Sequence, residues 1–181
     1  MNQFKIFLFL NCILLLTLVS CNQDASGSEI FRDVVIETED GFRFQDIDWM
    51  TNLENMEDDI SGAVYNDELA RLEVHEELEE VQRISLYYFD ENLFTSGEYI
   101  ILFTNKSDYE KYIDEIKETA ESYFTKHQPM NNGLSELSDD VSVSWEGDDN
   151  SYFRLLTSEG EDKYTIHFKV SGPQSLSKGL E

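Results

Sequence analysis

The sequence predicts an α+β fold, a two-layer sandwich in which a mainly antiparallel sheet carries helices on one face. Three observations lead there. Short runs rich in β-branched and aromatic residues recur along the chain, separated by Asp, Asn, Ser and Gly. Between them lies a segment with the three- and four-residue apolar spacing of a helix. Several of the strand-like runs alternate apolar and polar residues, the mark of a sheet buried on one face and wetter on the other.

The elements follow in order. In residues 34–44, VVIETEDGFRF, apolar residues flank Asp40 and Gly41, a strong hairpin signal. Ile47, Met50, Leu53 and Met56 recur at helical intervals and predict a helix over residues 46–56. Residues 67–82, DELARLEVHEELEEVQ, are mostly good helix formers with an imperfect stripe of Leu69, Leu72, Leu78 and Val81. They read as a helix, with residues 72–75 as a strand the alternative. Residues 84–89 and 98–104 read as two strands, bounded by Asp90-Glu91-Asn92 and Ser96-Gly97. Ser107 and Glu110 have the spacing of a capping box. Behind them Tyr109, Tyr112, Ile113, Ile116, Ala120, Tyr123 and Phe124 form the clearest helical stripe in the chain, which should end before Pro129. Residues 141–145, 152–156 and 164–170 complete the sheet. Val141, Val143 and Trp145 share a face, as do Tyr164, Ile166, Phe168 and Val170, with His167 and Lys169 pointing the opposite way.

The first twenty-one residues have a different character. One positive charge, Lys5, precedes a run of Leu, Ile and Phe from residue 6 to residue 19 interrupted by Asn11, Cys12 and Thr17. That is the n-region and h-region of a secretory signal. A spanning helix needs about 20 apolar residues, so this run is short for a permanent anchor. A cut after Ser20 by an ordinary signal peptidase would put Leu18 at the third-last position, where a small residue is preferred. Leu18-Val19-Ser20-Cys21 instead resembles the lipobox of bacterial lipoproteins, and that resemblance covers the leader only. It implies cleavage before Cys21, diacylglycerol on its thiol and an acylated amino terminus. Several acyl chains hold a protein durably where one does not, at about 0.8 kcal/mol per buried methylene.

These readings divide the chain into a signal peptide (1–20), a lipidated cysteine with a flexible tether (21–29), one α+β domain (30–170) and a frayed polar tail (171–181). No linker or repeat interrupts the domain. Without residues 1–20 the chain has 161 residues, enough for one domain with a real core. It keeps 20 aromatic residues, which argue for a packed fold despite the charge. Cys12 leaves with the signal and Cys21 becomes a thioether, so disulfides, thiol catalysis and thiolate metal sites drop out of the reading.

Of the 13 Lys and Arg only Lys5 is lost, whereas all 38 Asp and Glu remain. So acidic a surface repels nucleic acid and anionic lipid, and no basic patch along the sequence reverses that. Candidate sites are few. His75 and Glu79 in VHEELEE would share a face of a helix at a metal-binding spacing, but Glu79 stands where a zincin motif has its second histidine. Residues 146–150, EGDDN, and 138–140, SDD, offer oxygen ligands without the register of a calcium loop. Each of the three histidines reads as a surface or turn residue, and no nucleophile elbow or phosphate loop appears. Tyr87, Tyr88, Tyr99, Phe103, Trp145 and Tyr152 are candidates to line a glycan or peptide groove.

The expectation is therefore a lipoprotein on the extracytoplasmic side of the cell envelope, its membrane leaflet undetermined. Its domain would be a non-catalytic binding or accessory module without cofactor or metal, meeting a protein or glycan and no nucleic acid. A carboxylate-dependent hydrolase and a calcium-dependent structural or adhesion protein are the alternatives.

Overall fold

The computed structural model describes residues 25–78, 81–130, 141–160 and 163–173. Among these residues the architecture is the α+β sandwich: a seven-stranded antiparallel sheet, a two-stranded ribbon and three helices. The elements are α1 (Gly27–Val34), β1 (Val35–Glu37), β2 (Phe42–Phe44), α2 (Leu53–Asp59), β3 (Val64–Asn66), β4 (Arg71–Glu77), β5 (Val81–Asp90), β6 (Leu93–Phe103), α3 (Lys106–Tyr123), β7 (Ser142–Glu146), β8 (Tyr152–Glu159) and β9 (Tyr164–Ser171). The large sheet runs β3-β4-β5-β6-β9-β8-β7.

The anticipated alternation holds in the second half. Ile166, Phe168 and Val170 are fully buried on the inner face, while His167 and Lys169 lie on the outer one. The β5–β6 hairpin turns at Glu91 and Asn92, both at positive φ (50° and 67°), the backbone that a tight two-residue hairpin requires. The ribbon β1–β2 pairs Val35 with Phe44 and Glu37 with Phe42, as the Asp40-Gly41 signal implies.

Four expectations about the elements and their boundaries are corrected. Residues 67–82 contain no described helix: β4 and the start of β5 occupy them, with Leu72 and Val74 turned inward and Arg71, Glu73 and His75 outward. Pairing with β5 supplies the backbone hydrogen bonds and outweighs the local helix preference of Glu and Leu. The helix placed over 46–56 starts later, at Leu53, where the Asn52 side chain accepts from the Glu54 amide at 2.9 Å. The third helix is capped by Asn105, whose Oδ1 accepts from the Asp108 amide at 2.8 Å, and not by Ser107.

The fourth concerns the stretch read as tether. Helix α1 begins at Gly27, three residues before the expected domain start, and Ser26 and Glu29 form a capping box across its first turn. This end is fastened to α3: Gly27 N donates to Glu115 Oε2 at 2.7 Å and the Tyr112 hydroxyl to the Ala25 carbonyl at 2.8 Å. A Cβ at position 27 would lie 2.9 Å from the Tyr112 carbonyl oxygen, so glycine permits the approach.

Helices α1 and α3 and the ribbon cover the inner face of the sheet, and aromatic rings fill the space between. Phe31, Phe42, Trp145, Phe153 and Phe168 are each at most 1% exposed. Phe153 lies at the middle, stacked on Trp145 at 4.8 Å and in contact with Phe31 and Phe124 at 5.7 Å. The ribbon is locked down at Glu37, whose carboxylate accepts from the successive amides of Thr125, Lys126 and His127, each at 3.0 Å, and lies 3.1 Å from His127 Nδ1. His127, expected at the surface, is buried. Burial would raise the Glu37 carboxyl, but the three amides and the imidazole outweigh it and hold it below the ordinary range.

Candidate functional site

The structure separates the residues that the sequence suggested for a site. His75 is on the outer face of β4, its Nε2 3.3 Å from Glu73 Oε2, so the helical spacing to Glu79 does not exist; Glu79 itself lies outside the described residues. The 146–150 turn is held by turn chemistry: Asp149 Oδ1 accepts from Ser151 N at 2.8 Å, and Asp149 N donates to the Asp40 carbonyl at 3.0 Å. Residues 138–140 are outside the described residues. Among the described residues no group of three or more His, Cys, Asp or Glu is placed to hold a metal ion. The aromatic set divides between the faces. Tyr87, Tyr99, Phe103 and Trp145 are buried on the inner face, whereas Tyr88 and Tyr152 belong to the outer one.

The outer face carries a polar network centred on Glu98. Its carboxylate meets Lys169 Nζ at 2.6 Å, His167 Nε2 at 3.1 Å and the Tyr88 hydroxyl at 3.2 Å. Arg71 continues the network, lying over the Tyr88 ring at 5.6 Å and pairing with Glu73 at 2.7 Å. Burial would raise the Glu98 carboxyl, but His167 and Lys169 more than offset it and hold it at about 2. Glu37 and Glu98, both largely buried, are thus ionised near neutral pH and already occupied, and neither has the raised pKa of a general acid.

The inner face offers a different arrangement. A cavity of about 330 Å³ opens beneath α1, between the end of α2 and strands β4, β5 and β6. Its apolar walls come from Ile30, Val34, Ile60 and Val74. Polar groups converge among them: Arg83 and Ser85 from β5, Tyr99 from β6, and Tyr87, whose hydroxyl donates to Gln45 Oε1 at 2.6 Å. Gln45 and Asp46 both adopt positive φ (50° and 56°), a conformation that costs non-glycine residues about 1 kcal/mol or more each. The strain turns the chain back immediately after β2, leaving Gln45 on the cavity wall.

Arg83 is the distinctive group. Its Nε and Nη2 atoms are buried with no hydrogen-bond partner. A buried guanidinium left without an acceptor is costly, and native proteins ordinarily satisfy one with a carboxylate or carbonyl. Tyr99, close enough to feel the Arg83 charge, is pushed up to about 12 chiefly by burial, so its hydroxyl stays protonated. The cavity therefore presents fixed hydrogen-bond donors with apolar walls, the composition of a small-molecule site.

Arg83 was within reach of the sequence. In a strand that begins at residue 81, period-two alternation puts Arg83 on the same face as Val81, Ser85 and Tyr87, a charge on a core-facing stripe. A strand reading that starts at Ile84 leaves it out.

Among the described residues no helix is long and apolar enough to cross a membrane. No family model, curated protein or solved structure matches the chain.

Proposed function

We propose that this protein is a lipid-anchored, non-catalytic binding module of the cell envelope, and that its ligand is a small molecule whose oxyanion is received by Arg83 in the inner cavity. The observation that carries the binding reading is Arg83, a partly buried cation that lines a cavity of about 330 Å³ and has no ionic partner among the described residues. A bound carboxylate or phosphate supplies the missing acceptors, and guanidinium geometry favours two parallel hydrogen bonds to either. The anchor rests on Leu18-Val19-Ser20-Cys21. Ala25 lines the cavity only four residues beyond Cys21, a reach of at most about 14 Å of extended chain. A lipidated chain therefore holds this binding site close to the bilayer surface.

Binding is tested at Arg83. Arg83→Met is expected to raise the melting temperature of the ligand-free protein, because it replaces a partly buried cation with two unsatisfied nitrogens by an apolar side chain of similar length. Titration with monocarboxylates and amino acids is expected to raise the melting temperature of the wild type and not of the variant. An Arg83→Met protein that melts lower, with both proteins indifferent to these ligands, would make Arg83 a structural residue and end the reading.

The anchor is tested independently. Cys21→Ser should accumulate as unprocessed precursor and lose labelling by a clickable fatty acid. Labelling that survives the substitution refutes the lipid assignment.

A further inference from the structure

Three charged side chains meet at the Arg83 cavity, and none has an ionic partner among the described residues. Arg83 and Glu76 are direct partners in the β4–β5 register, a position at which opposite charges ordinarily join across strands. Here they do not. Arg83 is partly buried, with Nε and Nη2 out of reach of solvent, while Glu76, although it lines the same space, is solvent-exposed. Asp33 lines the cavity from α1 and is likewise exposed. The contrast with the rest of the fold is informative, since Glu73 pairs with Arg71 and Glu98 with Lys169 where the sheet brings them together.

We infer that the ligand is a zwitterion, with its oxyanion on the Arg83 guanidinium and its ammonium group on Glu76 at the cavity mouth, where Asp33 adds to the attraction. This rests on the reading that Arg83 receives an oxyanion and makes it more specific. A simple anion would satisfy Arg83 but meet two uncompensated carboxylates on the way in. A simple cation would satisfy the mouth and be repelled from the interior. A neutral ligand would leave the guanidinium without a charged partner. A molecule with both groups, separated by a few bonds, offers a partner to Arg83 and to the carboxylate of Glu76 at once. Two sources share that chemistry: amino acids or short peptides, with a carboxylate, and ethanolamine phospholipid headgroups, with a phosphate.

The test is calorimetric titration of the mature chain with L-amino acids, their dipeptides and glycerophosphoethanolamine, each beside its N-acetylated form. Acetylation removes the ammonium charge and keeps the oxyanion. Binding by either source, weakened at least about tenfold by acetylation and by Glu76→Gln, supports the inference, and the source that binds identifies the ligand class. Asp33→Asn should give a smaller loss in the same direction. Glu76 is exposed, so its substitution leaves the fold intact, which the melting temperature verifies. Equal binding of free and acetylated forms that still depends on Arg83 overturns the zwitterion and leaves the oxyanion reading standing. Absence of binding by every compound overturns both.

Discussion

Phe153→Ala is expected to lower the free energy of unfolding by about 3–5 kcal/mol, measured by urea denaturation at neutral pH. Phe153 is fully buried and its ring meets those of Phe31, Phe42, Phe124, Trp145 and Phe168. Those neighbours belong to α1, β2, the end of α3, β7 and β9, so the ring closes contacts that no other single side chain can replace. Truncation leaves a cavity among large, rotamer-limited aromatics that collapse poorly, which puts the cost toward the upper part of the range. Phe153→Leu keeps most of the volume and should cost less than half as much. A loss below about 1 kcal/mol for the alanine variant would mean that the aromatic cluster does not pack as described.

The second large effect is expected at Glu37. Glu37→Ala leaves the amides of Thr125, Lys126 and His127 without their acceptor and should cost about 1–2 kcal/mol, because bonds to a charged group are lost and water can replace the acceptor at exposed Thr125 and Lys126 but not at buried His127. Glu37→Gln retains one acceptor oxygen and should cost less. The pH dependence has a definite sign. The folded carboxyl titrates below its ordinary value, so its contribution is complete above the unfolded pKa and fades as acid protonates it. The gap in stability between wild type and Glu37→Gln should therefore be widest near neutrality and shrink as the pH falls below the ordinary carboxylate range. A gap that stays constant down to acid pH would show that the amides do not depend on the charge of Glu37.

Elements whose local pattern and tertiary partners agree were legible in the sequence. The stripe from Tyr109 to Phe124 found its helix because the same residues that favour it locally also face the sheet. The strands of the second half were equally plain, since Val143, Trp145, Ile166 and Phe168 alternate as their burial does. Over residues 71–77 the strand is what the alternative reading of 72–75 allows, and the helix is favoured locally only because glutamate-rich strands owe their conformation to a neighbour: β4 is held by seven register pairs with β5, which a local window cannot contain. His127 was misplaced for a related reason, as its partner Glu37 lies ninety residues earlier. The cavity was hidden for a third reason. Its walls come from α1, the segment after α2 and three strands, and only the sheet register reveals that Arg83 faces Glu76 without joining it.

The fastening of Ala25, Gly27 and Ser28 to α3 has a mechanical meaning for a chain held at Cys21 as proposed. Tension arriving from the anchor would pass into Tyr112, Glu115 and Thr119 of α3, through the hydrogen bonds made by Ala25, Gly27 and Ser28. The load thus enters an eighteen-residue helix laid against the inner face of the sheet before it reaches β1, the strand that follows α1. An edge strand can be peeled away one hydrogen bond at a time, whereas these contacts spread over nearly two turns of helix would have to give way together. Such a mooring suits a domain that must keep its shape while its leash is pulled.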